Sequence, residues 1–276
     1  SLPLMYGIPH DDGVRCAYHG WIYNTKGEVI DRPFEPTCPP IKVTSYPVEV
    51  LGGLVFAYLG PQPVPLLPDW AQWNRENVRW DVGMAIVPCN WLQCMENSLD
   101  PVHVEWLHSY FSNYALERLD RGDADDPGFW RTQVTVRRHE KIGFDVFEHG
   151  VIKRRTYRGT KEEGGTTEED PEWRVGHPII FPNWLRVANG FQLRIPVDDT
   201  HTLHFVMDWR PLEPGEEEQQ EVPYEEVPCF DPDGTIKRDW VLGQDQAAWI
   251  MQGPVCDRPT EHLGVTDVGI IMYRRM

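Results

Sequence analysis

The sequence predicts an α+β protein in which an antiparallel sheet is covered by a few helices and preceded by a small all-β unit. Three observations carry this expectation. The first sixty residues alternate short strand-like runs with tight turns. A proline-rich stretch then breaks the pattern. Beyond it, apolar residues recur with period two in several runs and with helical spacing in two.

In order, Asp11-Asp-Gly13 and Thr25-Lys-Gly27 read as turns between short strands, and residues 46–51 and 53–59 as strands meeting at Gly52-Gly53. Pro61-Gln-Pro63-Val-Pro65-Leu-Leu-Pro68 sets four prolines in eight residues. Neither a central strand nor a helix interior accommodates that density, so it reads as a stiff connector. The expected domains are therefore 1–60 and 61–276. In the second, residues 78–87, 131–137, 144–147, 151–157, 179–187, 191–195 and 202–209 read as strands. Residues 161–170 read as a mobile polar loop and 213–226 as an acidic, solvated one. Residues 240–251 close the pattern as a helix.

Composition narrows the function. The 276 residues carry 26 Lys and Arg against 43 Asp and Glu, a net charge of −17. A nucleic-acid role is disfavoured, because phosphate binding needs a basic field. An acidic surface suits solubility or docking with a basic partner. No apolar run reaches the length of a membrane span, and no signal-peptide pattern opens the chain. The six cysteines are scattered, unlike a secreted disulfide framework, so a reducing cytoplasm is expected, with Cys89 and Cys94 buried and structural. The start at Ser1-Leu-Pro-Leu suggests a fragment.

The chemistry concentrates in Asn97-Ser-Leu-Asp100-Pro-Val-His103-Val-Glu-Trp-Leu-His108. A helix is expected just before it, with Asn90 as its N-cap. Pro101 forces a kink or a restart. His103 and His108 are five residues apart, about 140° on an ideal helix, so both reach one metal only if the backbone between them is distorted by a kink or a π-type bulge. This is not the one-turn spacing of zinc proteases. A second half-signal is Cys16-Ala-Tyr-His19, a thiolate and an imidazole on one turn. It is half a metal site, because no Cys-x-His occurs in the chain.

Together, Cys16-x2-His19-Gly-Trp, the proline connector and Asn-x2-Asp-x2-His-x4-His resemble the catalytic (α) subunits of Rieske non-haem iron oxygenases. The branch is that of phthalate 4,5-dioxygenase and the aryl O-demethylases. The likeness runs along essentially the whole chain and includes Gln244-Asp245 and residues 253–264. It implies a partial Rieske domain and a helix-grip-like catalytic domain. It implies that Cys16 and His19 bind a Rieske [2Fe–2S] cluster whose first Cys-x-His half lies upstream of Ser1. It implies His103, His108 and Asp245 as ligands of a mononuclear Fe(II), with Asp245 preferred over Asp239 and Asp257. Asp100 would bridge that site to the cluster of a neighbouring subunit, and Asn97 would sit near the iron or brace the helix. O₂ is the implied cosubstrate. NAD(P)H would feed electrons through a flavin and iron–sulfur reductase, and the assembly would be a homotrimer.

For the substrate, an aromatic carboxylate calls for a cation, for which Arg186 and Arg194 are the candidates and Arg154 and Arg155 the alternatives. Trp173, Trp184 and Trp209 fit core packing better than ring stacking. The competing functions are a β-rich module that holds a hydrophobic ligand without turnover, and a structural zinc protein, which would need two further ligands beside Cys16 and His19.

Overall fold

The computed structural model describes residues 2–37, 40–67, 76–119, 135–187, 189–238 and 240–276. Cys38, Asp239 and residues 131–134 of one expected strand lie outside them. The chain divides into two compact units, Ser1–Arg75 and Glu76–Met276.

In the first unit, β1 (Ile8–His10), β2 (Gly13–Arg15), β3 (Ile22–Tyr23) and β4 (Val29–Asp31) form an antiparallel sheet in sequence order. Ile22 and Val29 are its buried apolar residues. A separate hairpin pairs β5 (Val48–Leu51) with β6 (Leu54–Ala57). Its two turn residues, Gly52 and Gly53, have φ of 58° and 77°. Positive φ at both positions matches the twist of a two-residue hairpin and favours glycine.

The second unit is built on an eight-stranded sheet in the order β14-β7-β13-β12-β11-β10-β9-β8. Here β7 is Val78–Val87, β8 His139–Phe147, β9 Gly150–Tyr157, β10 His177–Ile180, β11 Trp184–Val187, β12 Gly190–Asp198, β13 His201–Pro211 and β14 Tyr224–Glu226. Strands β8 to β13 run as an antiparallel meander, and β7 returns beside β13. Gly190 lets β12 and β13 approach closely: a Cβ there would lie 1.9 Å from the Met207 carbonyl oxygen.

Three sequence expectations change. Residues 179–187 form not one strand but the hairpin β10–β11, because Pro182 offers no N–H to a ladder and the chain reverses at 181–183. Residues 135–138 are not in a strand; β8 begins at His139. The acidic segment ends in β14, which pairs parallel to β7 and forms one edge of the sheet, where its charged side chains remain solvated. Residues 160–165 are held by turn hydrogen bonds such as Gly165 N–H to the Thr160 carbonyl at 2.8 Å.

Apart from α4, which lies between β9 and β10, the helices follow β7 or close the chain. They are α1 (Trp91–Ser98), α2 (His103–Glu105), a π segment (Trp106–Phe111), α3 (Ser112–Leu119), α4 (Pro171–Arg174), α5 (Val241–Ile250) and α6 (Val268–Arg274). Asn90 caps α1, its Oδ1 accepting from Leu92 N–H at 3.0 Å. Met95 and Leu99 of the α1 stretch pack with Val151, Ile179 and Leu185 of the sheet and with Ile270 and Tyr273 of α6. Each such fully buried side chain contributes roughly 1.5–3 kcal/mol of transfer free energy. A second cluster joins Ala85 and Val87 to Cys89, Cys94, Cys229 and Trp249, which ties α1 to α5. Cys89 and Cys94 are fully buried, as expected, with their sulfurs 3.5 Å apart. None of the helices formed by the described residues is long and apolar enough to cross a membrane.

Candidate metal centre and its cavity

Helix α1 ends before Pro101, and the chain restarts at α2. The Asp100 carboxylate eases the restart by accepting from Val102 N–H at 2.7 Å. The backbone distortion that the histidine spacing demands is the π segment, which contains His108. A π turn bonds residues five apart, so side chains with that spacing come near one face. Two serines fit this winding: Ser109 Oγ donates to the Val104 carbonyl at 3.1 Å and Ser112 Oγ to Leu107 at 3.3 Å, each five residues back. Glu105 ties the segment to β8 by accepting from His139 N–H at 2.8 Å.

His103, His108 and Asp245 converge here, each offering one ligand atom within 4.8 Å of the others. His108 Nε2 lies 3.1 Å and His103 Nε2 3.6 Å from Asp245 Oδ1. Asp245 and His108 are buried. Burial pushes the Asp245 carboxyl up, but the hydrogen bond from His108 and the charges of His103, His108 and Arg194 outweigh it, so the group is held as a carboxylate. Burial pushes His108 down, and the Asp245 hydrogen bond more than compensates.

Around this core each remaining polar group has a definite place. His108 Nδ1–H donates to Gln244 Oε1 at 2.9 Å, which points its Nε2 at Asp245. Gln244 Nε2 donates in turn to Ser112 Oγ at 2.9 Å. Asn97 Nδ2 donates to Asp245 Oδ1 at 3.3 Å, so Asn97 orients the carboxylate. His103 Nδ1 is buried without a hydrogen bond, and Asp100 Oδ2 stands 3.5 Å from it. Burial raises Asp100, but His103 and the Val102 N–H lower it further, so it too is a carboxylate. Asp257 lies instead just before a 3-10 turn, Arg258–Thr260.

The three groups line a cavity of about 300 Å³. Strand alternation decides what else faces it. On β9, Lys153, Arg155 and Tyr157 line the cavity, whereas Arg154 points away and pairs with Asp145 and the Trp173 and Arg174 carbonyls. On β11, Leu185 and Val187 line it, and Arg186 takes the opposite face. On β12, Gln192 and Arg194 line it. None of Trp173, Trp184 and Trp209 does; Trp184 stacks edge-on against Phe191. Of the two candidate arginines, the structure therefore brings Arg194 to the cavity lined by His103, His108 and Asp245, and not Arg186.

The cations in the cavity differ in their partners. Arg155 is neutralised by Glu172, 3.2 Å away, which also bonds His177 at 2.8 Å. Despite burial, His177 and Arg155 bring Glu172 down to about 2. Lys153 and Arg194 make no ion pair among the described residues. Arg194 is 1% exposed, lies over the Trp249 ring at 5.2 Å, and has Nε and Nη1 without hydrogen-bond partners. Burial lowers it only to about 10, so it remains charged. Lys153 is brought down to about 7 by burial and by Arg155. Sequence reading missed Lys153, Gln244, Glu172 and His177. The signals were Lys153 two residues from Arg155 with the same strand parity, and Gln244 beside Asp245.

Comparisons with known proteins show the family of the chain. A model of the Rieske [2Fe-2S] domain matches residues 1–47. The oxygenase subunit of 5,5'-dehydrodivanillate O-demethylase from a Sphingobium species is 37% identical over 99% of this chain and 62% of its own length. The oxygenase subunit of phthalate 4,5-dioxygenase from Pseudomonas putida is 31% identical over 100% of this chain and 68% of its own. The chain belongs to the Rieske non-haem iron oxygenases. It spans about two thirds of the length of these curated relatives. Dicamba monooxygenase bound to dicamba shares the Rieske oxygenase fold, with a TM-score of 0.57 at 16% identity over 99% of this chain and 80% of that one.

Two ligand sets of a Rieske oxygenase can be weighed against the residues present. His103, His108 and Asp245 fit a mononuclear iron: two imidazoles and one carboxylate, from α2, the π segment and α5, would hold it and would leave coordination positions for other ligands. Cys16 and His19 provide one cysteine and one histidine, half of the four ligands a Rieske cluster takes. Cys16 is half-buried and His19 exposed, on a turn closed by Gly20 N–H to the Cys16 carbonyl at 3.0 Å. Among the described residues no third ligand joins them. Nothing in the matched proteins supports a non-catalytic binding module or a structural zinc site.

Proposed function

We propose that this chain is the oxygenase component of an aromatic oxygenase system, which hydroxylates or O-demethylates an aromatic carboxylate. One observation carries the reading: an open two-histidine, one-carboxylate set shares its cavity with two basic side chains, Lys153 and Arg194, that make no ion pair among the described residues.

His103 Nε2, His108 Nε2 and Asp245 Oδ1 are the atoms that would hold Fe(II). Iron bound there supplies the reductive activation of O₂. The chain's own residues do the rest. Gln244 fixes the His108 tautomer, and Asn97 aims the Asp245 carboxylate. Arg194 and Lys153 seat the substrate carboxylate, and so select which carbon faces the metal. Leu185 and Val187 give the ring an apolar wall that excludes water. Ring hydroxylation and O-demethylation share this geometry and differ in whether a ring carbon or a methoxy carbon is presented. The names of the two relatives, a phthalate dioxygenase and an O-demethylase, support an aromatic substrate.

The same reading makes residues 1–60 part of a Rieske domain with Cys16 and His19 as cluster ligands, and residues 61–276 the catalytic domain. NAD(P)H supplies electrons through a flavin and iron–sulfur reductase to a cytoplasmic homotrimer. Asp100, beside His103, is the link toward a neighbouring subunit.

The test uses the full-length protein. Iron, acid-labile sulfide and the visible spectrum are measured, and products are analysed after incubation with phthalates and methoxylated benzoates, O₂ and a reductase. Both metal centres and an oxygenated or demethylated product are expected. A colourless, iron-free protein overturns the reading.

A further inference from the structure

The sheet face that carries the metal cavity continues past it. Cross-strand partners share a face, and Arg194 stands opposite His204, which stands opposite Ala85; Gln192 stands opposite Val206, which stands opposite Gly83. Over β13, β7 and β14 this same face holds a second cavity, of about 260 Å³. Leu242 of α5 lines both cavities. Each cavity alone sits near or below the lower end of the roughly 300–1,000 Å³ usual for small-molecule sites, whereas the two together fall within that range.

Their chemistry is opposed. The first is cationic, through Lys153 and Arg194. The second is walled by Val206, Val227 and Leu242 and carries no cation among its lining residues. Its inner end is His204 and Gln246, both almost fully buried, and its outer end is the exposed Asp81, Asp208 and Glu225. At the inner end a chain of hydrogen bonds runs back to the first cavity. Gln246 Nε2 donates to His204 Nδ1 at 3.2 Å, and His204 Nε2–H donates to Gln192 Oε1 at 3.3 Å. This uses both imidazole nitrogens of a neutral ring. Gln246 Oε1 is then left as a buried acceptor without a partner, in a side chain 2% exposed that lines the cavity. Leaving such a group unmet is costly, so a donor on a ligand is its natural partner. The space itself comes from Gly83, where a Cβ would meet only the Val227 side chain at 3.8 Å.

We infer that the two cavities are lobes of one site for an elongated substrate, whose carboxylate sits at Lys153 and Arg194 and whose far end, uncharged and bearing a hydroxyl or amide donor, passes Leu242 to reach Gln246 Oε1. The inference rests on the carboxylate reading of the first cavity. It commits the far end to be uncharged, because Asp81, Asp208 and Glu225 repel a second anion.

The experiment measures binding to the full-length, iron-loaded protein by calorimetry, with three probes: benzoate, 4′-hydroxybiphenyl-4-carboxylate and biphenyl-4,4′-dicarboxylate. The hydroxylated probe is expected to bind at least ten-fold more tightly than benzoate, and the dicarboxylate at least five-fold more weakly than the hydroxylated probe. Gly83→Leu fills the second lobe and should weaken the hydroxylated probe ten-fold or more while moving benzoate less than two-fold. Leu242→Ala, which widens the passage, should strengthen the hydroxylated probe and serves where Gly83→Leu does not fold. Benzoate binding without any gain for the longer probe, or equal losses for both in Gly83→Leu, overturns the two-lobed site. Failure of all three carboxylates to bind overturns the carboxylate reading itself.

Discussion

Cys16-x2-His19 and the stretch from Asn97 to His108 each bring together side chains able to ligate a metal, and they are completed differently. The first is a local pair: a thiolate and an imidazole on one turn, half-buried or exposed, with no third ligand among the described residues. The second is closed over long range, by a carboxylate 137 positions beyond His108 that lies 3.1 Å from it. Its supports are equally distant, since Gln244 and Asn97 reach across from α5 and α1. A turn can present ligands without a core. A site made of buried, mutually charged groups needs packed elements to hold it against their desolvation.

Reciprocal ligand removal tests this contrast with the largest expected effect. His103→Ala in the full-length protein should lower mononuclear iron at least ten-fold and leave the visible iron–sulfur spectrum intact. Cys16→Ser should do the reverse. Loss of both centres in either variant would show that the two constellations are not independent.

Asp100→Asn comes next. It keeps the side chain's shape and its hydrogen bond from Val102 but removes the charge beside His103 Nδ1. Both metals should be retained while turnover falls at least ten-fold; normal turnover would reduce Asp100 to a cap for α2.

A smaller effect concerns pH. Lys153 titrates at about 7, because burial and Arg155 disfavour its charge. It is therefore protonated below that value and neutral above it, so benzoate affinity should fall as pH rises through 7. Lys153→Met should bind more weakly at pH 6 and lose this slope, while Arg194 stays charged throughout the range. Linkage gives stability the opposite trend. The folded pKa lies below the unfolded one, so the unfolded chain binds more protons between about 7 and 10.5, and stability rises with pH across that window. A chemical-denaturation series at pH 6 to 10 measures it.

The smallest effect is at the cap of α1. Asn90→Ala should cost about 1 kcal/mol of helix stability. It should lower the melting temperature of the second compact unit by a few degrees without bleaching the iron–sulfur spectrum, because the cap lies in that unit.

Much of the centre was legible in the chain itself. The five-residue histidine spacing required a distorted helix, and the π segment supplies it. Pro101 required a kink or a restart, and α2 begins two residues later. Asn90 had the chemistry of a cap, and Gly52-Gly53 that of a hairpin turn. These are local consequences of backbone sterics and hydrogen bonding, which act over a few residues and so leave their mark in short windows. Resemblance to a family, not spacing, pointed to Asp245.

Other features were decided only in three dimensions. Whether Arg186 or Arg194 faces the cavity depends on which side of the sheet is covered, and both sit at plausible strand positions. The sheet's pairing turned residues 179–187 into a hairpin and put Leu185 and Val187, rather than Arg186, on the inner face. The near-neutral Lys153 and the unmet Gln246 Oε1 likewise arise from burial by distant elements. Periodicity tells that a strand has two faces. Only the packing of β12 and β13 beneath α5 tells which face is inside, because burial is a property of what lies opposite.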